Sequence, residues 1–186
     1  MQAHSFFIGG IPMLFYGDEA GYTNDYSYLN DPGKSYDNRW MHRPVVDWEK
    51  NKKTEIKGTI EHRIFSSTQK LLAIRESLDV IADNKNLIWL SPHNIHVAGY
   101  LRYNEKQKLY CVFNFSSHTA SLTWYAFKEH GMAPEKLFDH WHESYFTVGK
   151  DSEHLILEPY TFYLLNDENL TQKRVGTEKK VPVAGP

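Results

Sequence analysis

The sequence predicts an α+β chain in which a short helix–strand–loop–helix part precedes an antiparallel β-sandwich domain. Three observations carry this expectation. IPMLFY, residues 11–16, is a nearly unbroken apolar run followed by a long stretch, Gly17 to Pro44, with neither a helical nor a strand period. A helical period then occupies residues 59–78. Beyond Asp83 the period changes to two, in eight short runs separated by turn residues, the pattern of antiparallel strands packed sheet on sheet.

The opening residues, MQAHSFFIGG, carry no basic, long-apolar, small-residue signal pattern. They read as the last turns of a helix stopped at Gly9-Gly10, because glycine accepts the left-handed conformation that ends helices. The run at 11–16 does not alternate, so it predicts a strand buried on both faces, as in a parallel sheet covered by helices. One parallel strand cannot form a sheet, so this segment calls for neighbours. The stretch from Gly17 to Pro44 is rich in Asp, Asn, Ser and Gly but also holds Tyr22, Tyr26, Tyr28, Tyr36 and Trp40. That composition is wrong for disorder, and loops of this length in compact domains are functional as a rule.

Residues 45–58 read as a solvated polar bend with lysines at 50, 52 and 53. In the following helix, Ile60, Ile64, Leu71, Ile74 and Leu78 recur at helical spacing, with Phe65 and Leu72 widening the stripe. The strand runs are NLIWL, IHVAGYLRY, KLYCVFNFS, HTASLTW, KLFDHW, SYFTV, HLILE and YTFYLLN. In the third, Leu109, Cys111, Phe113 and Phe115 share one face; in the second, Ile95, Val97, Gly99 and Leu101 do so. The division expected is 1–83, 84–166 for the β domain, and a disordered tail over 167–186.

Composition excludes some classes of function. Lys plus Arg number 21 and Asp plus Glu 23, a net charge of −2. This offers no basic face to a nucleic acid and no polybasic anchor to a membrane, and no apolar run is long enough to span a bilayer. The single cysteine, Cys111, rules out an internal disulfide and fits a reducing, cytoplasmic setting. Aromatic residues make up 15% of the chain, which suits both a sandwich core and stacking on sugars or bases.

The segment GGIPMLFYGDEAG (9–21), with Asn24-Asp25, GKSYDNRWMHRP (33–44) and a helix after it, resembles the α-amylase superfamily. There a strand of the form GIPxxYYGDExG is the last of a (β/α)8 barrel. The GDE turn and RWxHRP element look most like the amylosucrase and sucrose-hydrolase branch. YCVFNFS (110–116) and LILEPYTFYLL (155–165) are similar to later strands of that family's C-terminal β domain. The resemblance, over about residues 5–165, implies a fragment of a (β/α)8 barrel followed by an antiparallel β-sandwich. It implies a parent enzyme that transfers or hydrolyses glucosyl units of sucrose or an α-glucan with retention. That family's three catalytic acids sit on earlier strands, which have no counterpart here. The expectation is a chain inactive alone, with the N-terminal barrel portion as its partner.

Among the residues present, Asp18 and Glu19 are a tempting carboxylate pair, since retaining glycosidases set two carboxyls about 5–5.5 Å apart. Adjacent side chains leaving a strand point to opposite sides, so they are expected to anchor the loop rather than act as acid and nucleophile. Arg39 is the candidate substrate-binding residue: its guanidinium offers a rigid fork for sugar hydroxyls or a pocket carboxylate. In the RWxHRP element that arginine closes the sugar pocket by pairing with an aspartate of an earlier strand, and Arg39 matches it. A salt bridge within the loop, to Asp37 or Asp31, is the other reading. Asp37, Trp40 and His42 are expected as loop scaffold near the pocket. His93 with His96 and His140 with His142 lack the further ligands a metal needs, the acids of 25–37 fail the calcium-loop pattern, and Cys111 reads as inert core. No metal, cofactor or catalytic residue is expected. The alternative is a stand-alone β module that binds polysaccharide or docks on a partner protein through Trp89, Trp124, Tyr125 and Trp141.

Overall fold

A computed structural model describes residues 1–131, 134–149 and 152–167. It divides into two compact units, one formed by Pro12–Leu72 and the other by Met1–Ile11 together with the chain from Ala73 onward.

The second unit is an antiparallel β-sandwich. All eight expected runs form strands: β1 (Leu87–Trp89), β2 (Val97–Tyr103), β3 (Lys108–Asn114), β4 (Ala120–Thr123), β5 (Lys136–Asp139), β6 (Ser144–Thr147), β7 (His154–Leu157) and β8 (Phe162–Asp167). Six of them make a sheet in the order β1-β2-β3-β8-β5-β6, and β4 pairs with β7 in a small second sheet. Strand β3 lies in the middle, with Cys111 opposite Tyr100 on one side and Leu164 on the other. Asp167, assigned to the tail by the sequence, is instead the last residue of β8 and pairs with Leu137. The rest of the expected tail lies outside the described residues.

Between the two sheets lies the core. Leu101, Tyr110, Val112, Leu137 and Leu165 of the large sheet meet Leu122, Leu155 and Leu157 of the small one, with Trp124 and Phe127 from the turn after β4. The face that the sequence marks as continuous on β3, with Leu109, Cys111 and Phe113, points the other way. It is covered by helix α1 (Gln2–Phe7), whose His4 ring stands edge-on to Tyr100, Phe113 and Phe115. Strand β3 is therefore buried on both faces from Leu109 to Asn114, which explains why YCVF is apolar without alternation.

Two arginines hold α1 in place. Arg102, fully buried on β2, donates from Nε to Asn86 Oδ1 (2.8 Å), from Nη1 to the Ile8 carbonyl (2.6 Å) and from Nη2 to the Asp83 carbonyl. Arg75 donates to the carbonyls of Phe6 and Gly10. Carbonyls at a helix C-terminus lack intrahelical partners and carry partial negative charge, so cations there satisfy both needs. Gly9, at φ 138°, passes close beneath: a Cβ there would lie 2.9 Å from Arg102 Nη1.

Pro12–Leu72 holds two corrections. The strand expected at 11–16 does not form; Ile11 and Met13 are 90% and 89% exposed, and Leu14, Phe15 and Tyr16 are exposed too. A parallel strand exists only when its backbone groups pair with neighbouring strands, and none of the described strands pairs with this segment. The bend expected at 45–58 contains a short helix, α2 (Trp48–Lys52), because the Asp47 carboxylate accepts from the N–H groups of Glu49 and Lys50. Helix α3 (Ile60–Glu76) lies within the span expected for it. Thr59 opens it, its Oγ1 accepting from His62 N (3.1 Å).

Candidate functional site

The loop between the apolar segment and α2 is ordered by its own polar residues. Three 3-10 turns, Asp18–Ala20, Ser27–Asn30 and Asn38–His42, punctuate it. Asp25 N donates to the Met41 carbonyl (2.9 Å), closing the loop on itself. Tyr16 donates through its hydroxyl to the Pro44 carbonyl (3.0 Å), and the Tyr22 hydroxyl accepts from Asp47 N (2.6 Å) and sits 2.9 Å from Asn51 Oδ1. Lys50 lies over the Tyr22 ring and pairs with Glu61 of α3 at 3.2 Å.

The two candidate carboxylates of the GDE turn are engaged with their own backbone. Asp18 Oδ2 accepts from Phe15 N (3.0 Å) and Glu19 Oε2 from Gly17 N (2.9 Å). Gly17 is left-handed at φ 90°, and a Cβ there would stand 2.7 Å from Tyr22 Cγ. These contacts tie each acid to the turn rather than presenting the two as a pair across a ligand.

Arg39 is gripped by a single carboxylate. Asp37 accepts from the Arg39 main-chain N–H (3.0 Å), from Nε (2.9 and 3.0 Å) and from Nη2 (2.8 Å). The Asp37 side chain is 17% exposed and the Arg39 side chain 74%. Hydrogen bonds from Arg39 hold the Asp37 carboxyl below its usual range, and the same contact raises the guanidinium. Of the two loop partners open in the sequence, Asp37 is the one found; Asp31 pairs with Lys34 at 3.3 Å. Two cations, Lys34 and Arg43, lie over the half-buried Trp40 ring at 5.3 and 5.6 Å from its centroid. His42 Nδ1 is 3.2 Å from Asn24 Oδ1.

An open cleft of about 270 Å³ adjoins these groups, lined by Phe15, Tyr16, Asp18, Tyr22, Asn24 and His42, among others. It brings Asp18 and His42 to one surface. Arg39, Asp37, Trp40 and Glu19 are not among its walls. Tyr22 and Asn24 join the expected residues in this cleft; in the sequence, the density of tyrosines in an otherwise polar loop is the signal that points to them.

The other chemical candidates are structural. Burial pushes the Cys111 thiol well above its ordinary value. His142 and Asp139 meet at 2.5 Å, and the fully buried Asp139 carboxylate also accepts from the N–H groups of Trp141 and Leu164. Among the described residues, no group of three or more His, Cys, Asp or Glu is placed to hold a metal ion, and no helix is long and apolar enough to cross a membrane.

Comparison with known proteins places the β unit. Residues 87–164, running from β1 into β8, match the family described as maltogenic amylase, C-terminal domain. Solved structures agree on the fold. The chain is similar to an α-amylase from Anoxybacillus at 20% identity and TM-score 0.57, covering 88% of this chain and 30% of that one. It is similar to an α-amylase from Geobacillus thermoleovorans, solved with acarbose, at 17% identity and TM-score 0.59, covering 88% and 31%. It is also similar to trehalose-6-phosphate hydrolase from Bacillus licheniformis at 15% identity and TM-score 0.59, covering 89% and 38%. The chain thus spans about a third of the length of these structures. Over residues 87–164 the chain is similar to the C-terminal β domain of a maltogenic amylase, and its fold is that of the corresponding part of these amylase structures. A stand-alone binding module is not favoured, since the matching model describes the C-terminal domain of an amylase; of the aromatics expected to serve such a module, Trp124 is buried while Trp89 and Tyr125 are exposed.

Proposed function

We propose that this chain is the C-terminal part of an amylosucrase-like enzyme, which transfers or hydrolyses glucosyl units of sucrose or an α-glucan with retention. In this reading the catalytic acids come from a barrel portion outside the chain. The chain supplies the last strand, the long loop, the last helix and the β domain. The observation that carries it is the segment 11–16: apolar, yet exposed and without a strand partner among the described strands, and leading directly into the ordered GDE loop. A segment of this composition gains stability only by burial, and parallel strands on both sides would bury it.

Arg39 is the residue assigned to the sugar pocket. Asp37 occupies the Nε and Nη2 edge of its guanidinium. The exposed end is then available to a pocket carboxylate or a sugar hydroxyl, because the planar group can engage acceptors along two edges. The GDE turn and RWMHRP element favour the sucrose-acting branch. Cys111, a lone thiol, agrees with a cytoplasmic setting.

Two measurements test this. The purified chain incubated with sucrose or maltoheptaose is expected to release no glucose or fructose above a buffer control, since in this reading the nucleophile that forms the glucosyl intermediate belongs to the barrel portion. Release would overturn the reading. Joined to the earlier strands of an amylosucrase barrel that lacks its own final strand and β domain, the chain is expected to restore sucrose consumption. In that fusion Arg39→Ala should lower kcat/KM by about tenfold to a hundredfold, the equivalent of one lost charge-assisted hydrogen bond. If the substituted fusion folds and turns over sucrose as well as the unsubstituted one, Arg39 has no place in the pocket.

A further inference from the structure

We draw no further inference here: the strongest candidate, the open edge of the β-sandwich where Phe146 and Tyr163 of the large sheet and Ile156 of β7 border the hollow beside Tyr125, is an aromatic-lined gap with nothing in the structure to show what covers it.

Discussion

Gly17 and His140 show how much can rest on one position. Alanine at Gly17 would have to adopt a left-handed backbone while its methyl displaced the Tyr22 ring. The backbone penalty alone is about 1–2 kcal/mol, so Gly17→Ala is expected to destabilise the chain by about 2 kcal/mol or more. A urea titration that left the midpoint unmoved would show that the turn relaxes freely. His140 acts through burial, which lowers its pKa from the ordinary 6.5, with Asp139 opposing the shift more weakly. The unfolded chain then binds a proton more readily than the folded one. Stability is therefore fully present above pH 6.5 and falls as pH drops from there toward the lowered folded-state pKa. His140→Gln should flatten this part of the stability–pH curve. An unchanged slope between pH 7 and 5 would assign it to other groups, His4 foremost, since burial lowers that one too. Asn114 illustrates a position whose importance the VFNFS run does not reveal. Its amide donates to the carbonyls of His118, Leu157 and Glu158, and its Oδ1 accepts from Ser116, tying the end of β3 to the end of β7.

At the scale of elements, α1 is the informative case. Six residues are too few for a stable isolated helix, so α1 exists because Phe6 and Phe7 are buried and its final carbonyls are taken up by Arg75 and Arg102. Both guanidiniums lie below their ordinary pKa, chiefly through desolvation, and neutral carbonyls rather than carboxylates satisfy the contacts described. Arg102→Met keeps much of the side-chain volume but orphans the acceptors at Ile8, Asp83 and Asn86. A loss of about 2–4 kcal/mol is expected, with amide exchange of residues 6–8 accelerating more than that of β3. Uniform acceleration across the unit would show that Arg102 supports the sheet generally and not α1 in particular. Helix α3 is simpler: its period, its Thr59 cap and the acid Glu61 in the first turn all stand in the sequence. The five-residue α2 escapes a periodicity argument because it completes little more than one turn.

For the molecule as a whole, the contrast lies between a β-sandwich that buries its own core and a segment, 11–16, that does not. Met13→Lys tests this directly. Because Met13 is 89% exposed, the substitution is expected to change the stability of the chain by no more than about 0.5 kcal/mol. In the barrel fusion the same lysine would enter a strand buried on both faces and should abolish sucrose turnover. Marked destabilisation of the chain alone would mean that Met13 is already covered. Full activity of the fusion would mean that 11–16 is no barrel strand.

The positions of the eight sandwich strands, the long helix and the ordered loop could be read from residue order because local periodicity, turn residues and caps mark them within a few positions. The Asp37–Arg39 grip was open in the sequence only as one of two loop partners, and the structure chose it by pairing Asp31 with Lys34. Residue order could not tell which face of β3 meets the small sheet, that buried Arg102 would hold α1, or that 11–16 would lie open. Each of those depends on which distant segment comes to lie alongside, and a strand, unlike a helix, satisfies its backbone only through such neighbours.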